Sequence, residues 1–275
     1  MKTERVWAIY FSATGTTEKI TKTFASSLAE DLQAELKTYD FTLPAARESF
    51  PALEPADLAV VGMPTYAGRL PNLMLPYLQS ISGGGALAVP LVTFGNRAFD
   101  NSLAELKKIL DEHGFKTVTG GAFSCEHSFS YELGKGRPDA DDLKECVDFA
   151  HLTAKKILNA GESCHPISYF EVDGNPEAQY FQPQDRYGNK FDFRKVKPLT
   201  NDQCTGCGLC IRSCPMGAIN PADPSDITGK CIKCCSCFKK CPVGAKYFED
   251  EGYLHHKDEL EFLYGGRRAS NNFFY

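Results

Sequence analysis

Nine of the twelve cysteines in this 275-residue chain lie between positions 204 and 241. They fall into two stretches, CTGCGLCIRSCPMGA from Cys204 to Ala218 and CIKCCSCFKKCPVGA from Cys231 to Ala245. The second stretch repeats the first at an offset of 27 residues, and each contains the pattern C-x2-C-x2-C-x3-C-P. Cysteine thiolates at such short spacing are ligands for zinc or for iron–sulfur clusters. The repeat therefore predicts metal chemistry rather than a disulfide framework.

Each unit resembles the cysteine run of bacterial two-cluster ferredoxins, in which the fourth cysteine of a run ligates the other cluster. The resemblance covers residues 200–250 and includes every ligand position. It implies two [4Fe-4S] clusters. Cluster I would be held by Cys204, Cys207, Cys210 and Cys241, and cluster II by Cys231, Cys234, Cys237 and Cys214. Structural zinc is the alternative, because paired C-x2-C units also build zinc sites.

The remaining cysteines and the nearby lysines carry less information. The repeat aligns Cys235 with Gly208, so we interpret Cys235 as a packing thiol, with a ligand exchange as the alternative. Three further cysteines fit no ligand spacing and are interpreted as small buried hydrophobes: Cys125, Cys146 and Cys164. Four lysines flank the second unit, either as a solvated surface or as a patch for an acidic partner: Lys230, Lys233, Lys239 and Lys240.

The N-terminal stretch FSATGTTE predicts a different chemistry, since it follows an apolar run and precedes a helical pattern. Its small residues allow backbone N–H groups to form an anion-binding nest at a helix N-terminus. The candidate contacts are Ser12, Thr14, Gly15, Thr16 and Thr17. The loop lacks the lysine of a nucleoside-triphosphate loop and the GxGxxG of a dinucleotide site. A phosphate monoester is therefore the predicted ligand.

This loop resembles the FMN-phosphate loop of flavodoxins, which has the form S/T-x-T-G-x-T. That resemblance implies the strand order 2-1-3-4-5, with FMN outside the carboxyl ends of the strands. Two later loops fall at that edge, and they supply further candidate FMN contacts: Pro64, Thr65, Tyr66, Ala67, Gly68, Thr93, Gly95, Asn96, Arg97 and Phe99. Tyr66 and Phe99 are the predicted stacking rings; the alternatives are that they only anchor their loops, or that the domain no longer binds FMN.

Residues 1–160 alternate apolar runs with amphipathic patterns, which predicts a doubly wound parallel sheet with helices on both faces. Five strands are predicted: Val6–Phe11, Glu35–Phe41, Leu58–Met63, Leu87–Phe94 and Lys116–Cys125. Helical stripes contain Phe24, Leu106 and Ala150, whereas Thr42–Ala56 looks too irregular for a crossover helix. The fold class is α/β with a flavodoxin-like five-stranded sheet, followed by a small α+β two-cluster ferredoxin domain.

The predicted domains are 1–160 for the sheet, 161–199 for a connector, 200–250 for the ferredoxin segment and 251–275 for a C-terminal tail. Four connector aromatics need burial: Tyr169, Phe170, Tyr180 and Phe181. In the tail, HHKDELEFLYG predicts one exposed helix. The loop after the fifth strand contains His127, which is a candidate catalytic residue together with Arg69, or else belongs to a loop that merely closes over the cofactor.

Both halves in this order resemble the flavodoxin–ferredoxin fusion family of anaerobic bacteria. The resemblance implies an electron carrier that relays electrons between FMN, two [4Fe-4S] clusters and redox partner proteins. The alternative is an enzyme that reduces a small acceptor at the flavin. The net charge of −5 disfavours nucleic acid. No apolar run reaches the ~20 residues of a membrane span, and the N-terminus does not read as a signal peptide, so we expect a cytoplasmic protein. The sequence leaves a homo-oligomer open.

Overall fold

A computed structural model describes residues 2–163, 169–184, 187–190 and 192–275 of the chain. Its main sheet contains seven strands: β1 (Arg5–Tyr10), β2 (Glu35–Asp40), β3 (Asp57–Pro64), β4 (Leu87–Phe94), β5 (Lys116–Thr117), β6 (Gly120–Ser124) and β9 (Asn272–Phe274). The spatial order is β2-β1-β3-β4-β6-β9, with β5 also paired to β4. The pairs among β1 to β6 are parallel, so the predicted order 2-1-3-4-5 is confirmed.

The fifth predicted strand is divided, because Val118 and Thr119 lie between β5 and β6. Gly120 begins β6 in close contact with the connector: a Cβ there would lie 2.5 Å from the ring of Phe170. Beyond β6, the antiparallel strand β9 occupies the sheet edge, where Gly120 pairs with Phe274. The last residues of the chain therefore belong to the N-terminal sheet, which the sequence analysis did not predict.

The larger helices pack on both faces of this sheet. The α-helices are α1 (Thr16–Leu32), α2 (Leu75–Leu78), α3 (Ser102–Glu112), α4 (Ala140–Ser163), α5 (Leu209–Arg212), α6 (Ser236–Lys239) and α7 (Glu251–Tyr264). On one face, α1 and α4 bury Phe24 and Phe149 against β1 and β3. On the other face, α3 buries Leu106 in a second cluster, which we call the front core. The buried stripes predicted for the three long helices are confirmed.

The front core lacks a full helix between β2 and β3. The segment 42–56 forms only a 3₁₀ turn over Pro44–Glu48, as its prolines indicate. The cysteine-rich segment occupies this space, where Met216, Ile232 and Cys234 pack against the front core. That segment contributes α5, α6 and a two-stranded antiparallel sheet of β7 (Leu199–Thr200) and β8 (Lys246–Tyr247).

The connector and the tail wrap around the edges of the molecule. Phe170 is fully buried and Tyr180 is half-buried, but Tyr169 and Phe181 remain 61% and 43% exposed, so the expected burial holds for half of these rings. The tail helix α7 is only partly exposed, because Tyr253, His256 and Leu260 are buried. Part of the predicted connector, including Cys164, lies outside the described residues. None of the described helices is long and apolar enough to cross a bilayer.

Candidate functional site

The N-terminal loop forms an open cradle at the start of α1. Gly15 precedes the helix with φ of +96°, a left-handed conformation that favours glycine. Ser12 holds the loop at both ends: its N–H donates to the hydroxyl of Thr42 at 2.8 Å, and its Oγ accepts the N–H of Glu18 at 3.0 Å. Among the described residues, the backbone N–H groups from Ala13 to Thr17 have no protein acceptor. This arrangement fits the oxygens of a phosphate group.

The loop after β3 is a two-residue turn from Tyr66 to Arg69. Tyr66 and Arg69 exchange backbone hydrogen bonds of 2.8 and 3.1 Å, and Ala67 and Gly68 both have positive φ, as in a type I′ turn. A Cβ on Gly68 would lie 2.8 Å from a carboxylate oxygen of Asp100, so this turn touches the loop after β4. The largely buried ring of Tyr66 and the ring of Phe99 both pack against the front core. Phe99 also contacts Phe94 and Phe274.

The side chain of Arg69 is committed to the fold. It makes a buried bidentate ion pair with Glu105, at 2.8 and 2.6 Å, and also donates to the carbonyl of Ala178. Glu105 in turn accepts the N–H of Leu70 at 2.8 Å. The structure therefore places Arg69 in a packing role, since three of its five N–H groups bond within the fold.

The loop after β4 is covered by the tail. Asn96 is 1% exposed, and its amide donates to the carbonyls of Tyr264 and Arg267 and accepts the N–H of Ala269, all at 2.9 to 3.0 Å. The predicted polar contact of Asn96 to FMN is thus replaced by contacts to the tail. Arg97 pairs with Asp100 and lies over the ring of Phe181. The hydroxyl of Thr93 bonds that of Thr17 at 2.7 Å, which joins this loop to the phosphate cradle.

His127 packs directly on that same loop. A Cβ on Gly95 would lie 2.2 Å from Cδ2 of His127, so only glycine fits there. Burial lowers the pKa of His127 to about 3, and the charges of His256, Lys239 and Arg97 add to this effect. The imidazole is therefore neutral near pH 7. Its Nδ1 accepts the N–H of Phe129 at 3.1 Å, which leaves the proton on Nε2.

The predicted ligands of cluster I, which we call set I, line one cavity. Set I consists of Cys204, Cys207, Cys210 and Cys241. Cys207 is exposed and the other three are half-buried. The amide N–H of Ala245 donates to Sγ of Cys241 at 3.2 Å, and several backbone N–H groups lower the pKa of that thiol against the opposing effect of burial.

The predicted ligands of cluster II, which we call set II, line a second cavity. Set II consists of Cys214, Cys231, Cys234 and Cys237. The structure thus brings together each predicted group of four, including the fourth cysteine that comes from the other repeat. Burial raises the pKa of Cys237 to about 12, with the neighbouring Cys231 adding to it. Within the described residues, no group of three His, Cys, Asp or Glu is arranged around a single ion.

The two units also share their backbone conformation. Three pairs of equivalent residues have positive φ: Gly206 and Lys233, Gly208 and Cys235, and Gly217 and Gly244. Gly208 and Cys235 each precede a short helix, α5 and α6. The thiol of Cys235 lies in the set II cavity, 3.8 Å from the hydroxyl of Tyr253, and its burial fits a packing role. None of the described cysteines forms a disulfide, and Cys125 and Cys146 are buried as expected.

Set II lies against the sheet domain. Cys234 is 8% exposed and belongs to the front core together with Phe11 and with Ala13 of the phosphate cradle. Burial raises the pKa of Tyr66 well above its ordinary value, and the thiols of Cys234, Cys235 and Cys231 contribute because they lie close by. The predicted flavin loops and the predicted cluster II ligands therefore meet inside one chain.

Two cations that the sequence analysis did not assign fasten this contact. Arg47, from the irregular segment, donates to the carbonyl of Pro215 at 2.6 Å and to the carbonyls of Phe41 and Thr42. Lys239 of α6 pairs with Glu126 at 2.7 Å and lies 3.9 Å from the ring centre of Tyr131. The irregularity of 42–56 was the available sequence signal for Arg47. Lys239 and Lys233 do not belong to an open patch for an acidic partner, because one is paired and the other is buried.

Comparisons with known proteins agree with this division of the chain. A family model described as a 4Fe-4S binding domain matches residues 199–220, which include the whole first cysteine unit. None of the curated proteins compared with the chain matches it. The ferredoxin half therefore contains a 4Fe-4S binding domain, and the family model covers one unit of the two.

The sheet domain is similar to solved flavodoxins. The flavodoxin of Streptococcus pneumoniae is 18% identical, with 55% of this chain and 99% of that chain covered and a TM-score of 0.39. Flavodoxin 2 of Bacillus cereus is 19% identical, with 56% and 99% covered and a TM-score of 0.42. A variant Fusobacterium nucleatum flavodoxin bound to flavin mononucleotide is 17% identical, with 56% and 97% covered and a TM-score of 0.38. The flavodoxin-like order of the strands rests on the pairing within this chain itself.

Proposed function

We propose that the chain is an electron-transfer protein that relays electrons between FMN, two [4Fe-4S] clusters and external redox proteins. One observation carries this proposal: Cys234 of set II belongs to the front core that also contains Ala13 of the phosphate cradle, and Cys234 interacts electrostatically with Tyr66. FMN exchanges one or two electrons, whereas a cluster exchanges one. A chain that holds both can therefore convert between two-electron and one-electron transfer.

The residues present fit these cofactors. Each cavity is lined by its four predicted ligand thiols, as two cubane clusters require, and the repeated backbone conformation supports a second cluster beside the one that the family model covers. The FMN phosphate would be held by the open N–H groups of the cradle with the hydroxyls of Thr14 and Thr16. Tyr66 and Phe99 would face the flavin ring, and the backbone of 64–68 and 93–97 would line it.

The exposure of the cysteines supports an order for the relay. Cys234 of set II is buried in the front core, whereas Cys207 of set I is exposed. We therefore place cluster II between the flavin and cluster I, and the docking of a redox partner protein at set I. Free thiols throughout the described residues agree with a reducing compartment such as the cytoplasm.

The test is the cofactor content of the full chain purified without oxygen. About eight irons, about eight acid-labile sulfides and one FMN per chain are expected from two cubane clusters and one flavin. Two zinc ions without sulfide would contradict the cluster assignment. Eight irons with no flavin, and no uptake of added FMN, would restrict the proposal to the ferredoxin half.

The alternative function is an oxidoreductase that reduces a small acceptor at the flavin. It is favoured by His127, whose neutral imidazole carries its proton on Nε2 and packs against Gly95 in a predicted flavin loop. Turnover of a small acceptor that is lost in His127→Gln, with FMN retained, would support the enzyme. Fast exchange with a redox protein and no turnover of small acceptors would support the carrier.

A further inference from the structure

Each cysteine cavity is lined by one lysine. Apart from the cysteines, Lys233 is the only ionisable residue among the described residues that line the set II cavity, and Lys246 holds the same position in the set I cavity. Lys246 is 2% exposed and Lys233 is 8% exposed. Lysines are seldom buried to this degree unless an anion accompanies them, because a desolvated ammonium is costly.

Neither lysine has such an anion in the described part of the chain. The ammonium of Lys246 donates to the hydroxyl of Thr200 at 2.7 Å and to the carbonyl of Pro224. The ammonium of Lys233 donates to the carbonyls of Arg194 and Cys231 at 3.0 and 2.9 Å. These neutral acceptors fix the positions of the two charges but do not neutralise them.

Two carboxylates interact electrostatically with these ammonium groups, but each is bonded to a different group. Asp223, whose charge interacts with that of Lys246, is exposed and bonds Ser225. Asp192, whose charge interacts with that of Lys233, pairs with Arg194 at 2.8 Å. Among the described residues, the thiols that line each cavity are therefore the groups that can supply a negative charge beside its ammonium.

The two lysines do not arise from the repeat. At the offset of 27 residues, Lys246 aligns with Ile219 and Lys233 aligns with Gly206. Ile219 lines the set II cavity without a charge, and Gly206 is exposed. Both lysines thus come from the second repeat, at two different positions, and each lines a different cavity although the ligand pattern does not require it.

We propose that Lys246 and Lys233 are the internal counter-charges of the clusters at set I and set II, and that each raises the reduction potential of its own cluster. This inference rests on the proposed function. A cluster bound by four thiolates is an anion that gains further negative charge on reduction, so a nearby fixed cation favours the reduced state. The charge of Lys246 acts on Cys210 of set I and also on Cys237 of set II. Because Lys246 lines the set I cavity and not the set II cavity, its removal should affect cluster I more than cluster II.

The experiment is a redox titration of the full chain without oxygen, followed by electron paramagnetic resonance so that each cluster is observed separately. Lys246→Gln keeps a hydrogen-bond donor and removes the charge. We expect the one-electron reduction constant of cluster I to fall about tenfold, which corresponds to about 59 mV, with a smaller change at cluster II. Lys233→Gln should lower the one-electron reduction constant of cluster II more than that of cluster I.

Matched controls are Lys240→Gln and Lys230→Gln, because these exposed lysines directly precede the ligands Cys241 and Cys231. Solvent screens their charges, so we expect changes below about twofold. Equal shifts of both clusters, no shift, or equal shifts in the controls would overturn the proposal.

If a Gln variant loses its iron, the iron content of the Arg variant at the same position is measured, because arginine keeps the positive charge. Recovery of iron by Arg supports the counter-charge, and loss of iron in both variants overturns it. The outcome for the proposed function is separate: absence of clusters in the unaltered protein contradicts that function, whereas clusters with unchanged potentials contradict only the role of the lysines.

Discussion

The two cysteine sets share one ligand pattern but lie in different surroundings. Set I opens to solvent, with Cys207 exposed and with Val243 beside the cavity 39% exposed. Set II is lined by Met216, Ile232 and Phe248, and Cys234 belongs to the front core of the sheet domain. The comparison teaches that two copies of one ligand pattern can differ in solvent exposure because different residues pack around them; under the proposed function, this difference selects the redox partner of each cluster.

The difference arises from the sheet domain, not from the cysteine units. The crossover between β2 and β3 is a 3₁₀ turn instead of a helix. This leaves one face of the sheet open to the residues around set II, which pack there. Arg47 of that crossover then bonds Pro215, the residue that follows the ligand Cys214.

The largest expected effect comes from removing one ligand of each set. Cys207→Ser should lower the iron content by up to four per chain, as one cubane cluster requires, and leave FMN content and thermal stability nearly unchanged. Cys234→Ser should cause the same iron loss and also lower the thermal midpoint, because it places a hydroxyl in the front core. Iron analysis with thermal unfolding checks both. Equal destabilisation by the two variants would contradict the comparison.

Arg47→Met tests the contact between set II and the sheet domain. Loss of its hydrogen bonds to three carbonyls should lower the free energy of unfolding by about 2–3 kcal/mol. It should also slow electron exchange between flavin and clusters. Arg194→Met is the control, since the side chain of Arg194 is 89% exposed and its ion pair within the described residues is with Asp192. A similar loss in the control would argue against a docking role for Arg47.

Gly15→Ala tests the flavin side of the same contact. The left-handed φ of +96° strains any other residue, so the cradle should distort and the dissociation constant of FMN should rise about tenfold, or about 1.4 kcal/mol. Gly114→Ala at the end of α3 is matched, because its φ is +83° and its Cβ also meets open space. Fluorescence titration with FMN should separate the two variants, and the account fails if they bind FMN equally.

The buried His127 should make the stability of the folded protein modestly dependent on pH. Its folded pKa of about 3 lies below the unfolded value of about 6.5, so its neutral form contributes stability that is complete above that unfolded value. The contribution is lost as pH falls toward about 3, at no more than about 1.4 kcal/mol per pH unit. His127→Gln should therefore reduce the loss of thermal stability between pH 7.5 and pH 5.5. A pH profile of the variant that runs parallel to that of the unaltered protein would contradict this.

Most of the fold could be predicted from the sequence because its longer strands and helices have local patterns of apolar residues. The apolar runs of β1, β3 and β4 and the stripes of α1, α3 and α4 need only their own residues to be recognised. Strand β9 has three residues and pairs with β6 about 150 residues away, so no local period reveals it. The cover that the tail forms over Asn96 was missed for the same reason.

The part of the candidate site that depends on the spacing of residues along the chain could be predicted from the sequence. The cysteine pattern grouped the eight thiols as the two cavities now group them. Spacing does not encode burial, so nothing in the sequence distinguished Lys233 and Lys246 from solvated lysines. Arg69 was grouped with a candidate catalytic histidine, but its partner Glu105 lies 36 positions away on α3 and becomes its neighbour only through folding.

The most direct test of the account is the order of the reaction between flavin and clusters in the intact chain. A light pulse that reduces the flavin should be followed by cluster reduction at a rate that does not change with protein concentration, and Cys234→Ser should abolish the phase. A rate proportional to concentration would mean that transfer occurs between molecules. That result would contradict the claim that set II receives electrons from the flavin site of its own chain.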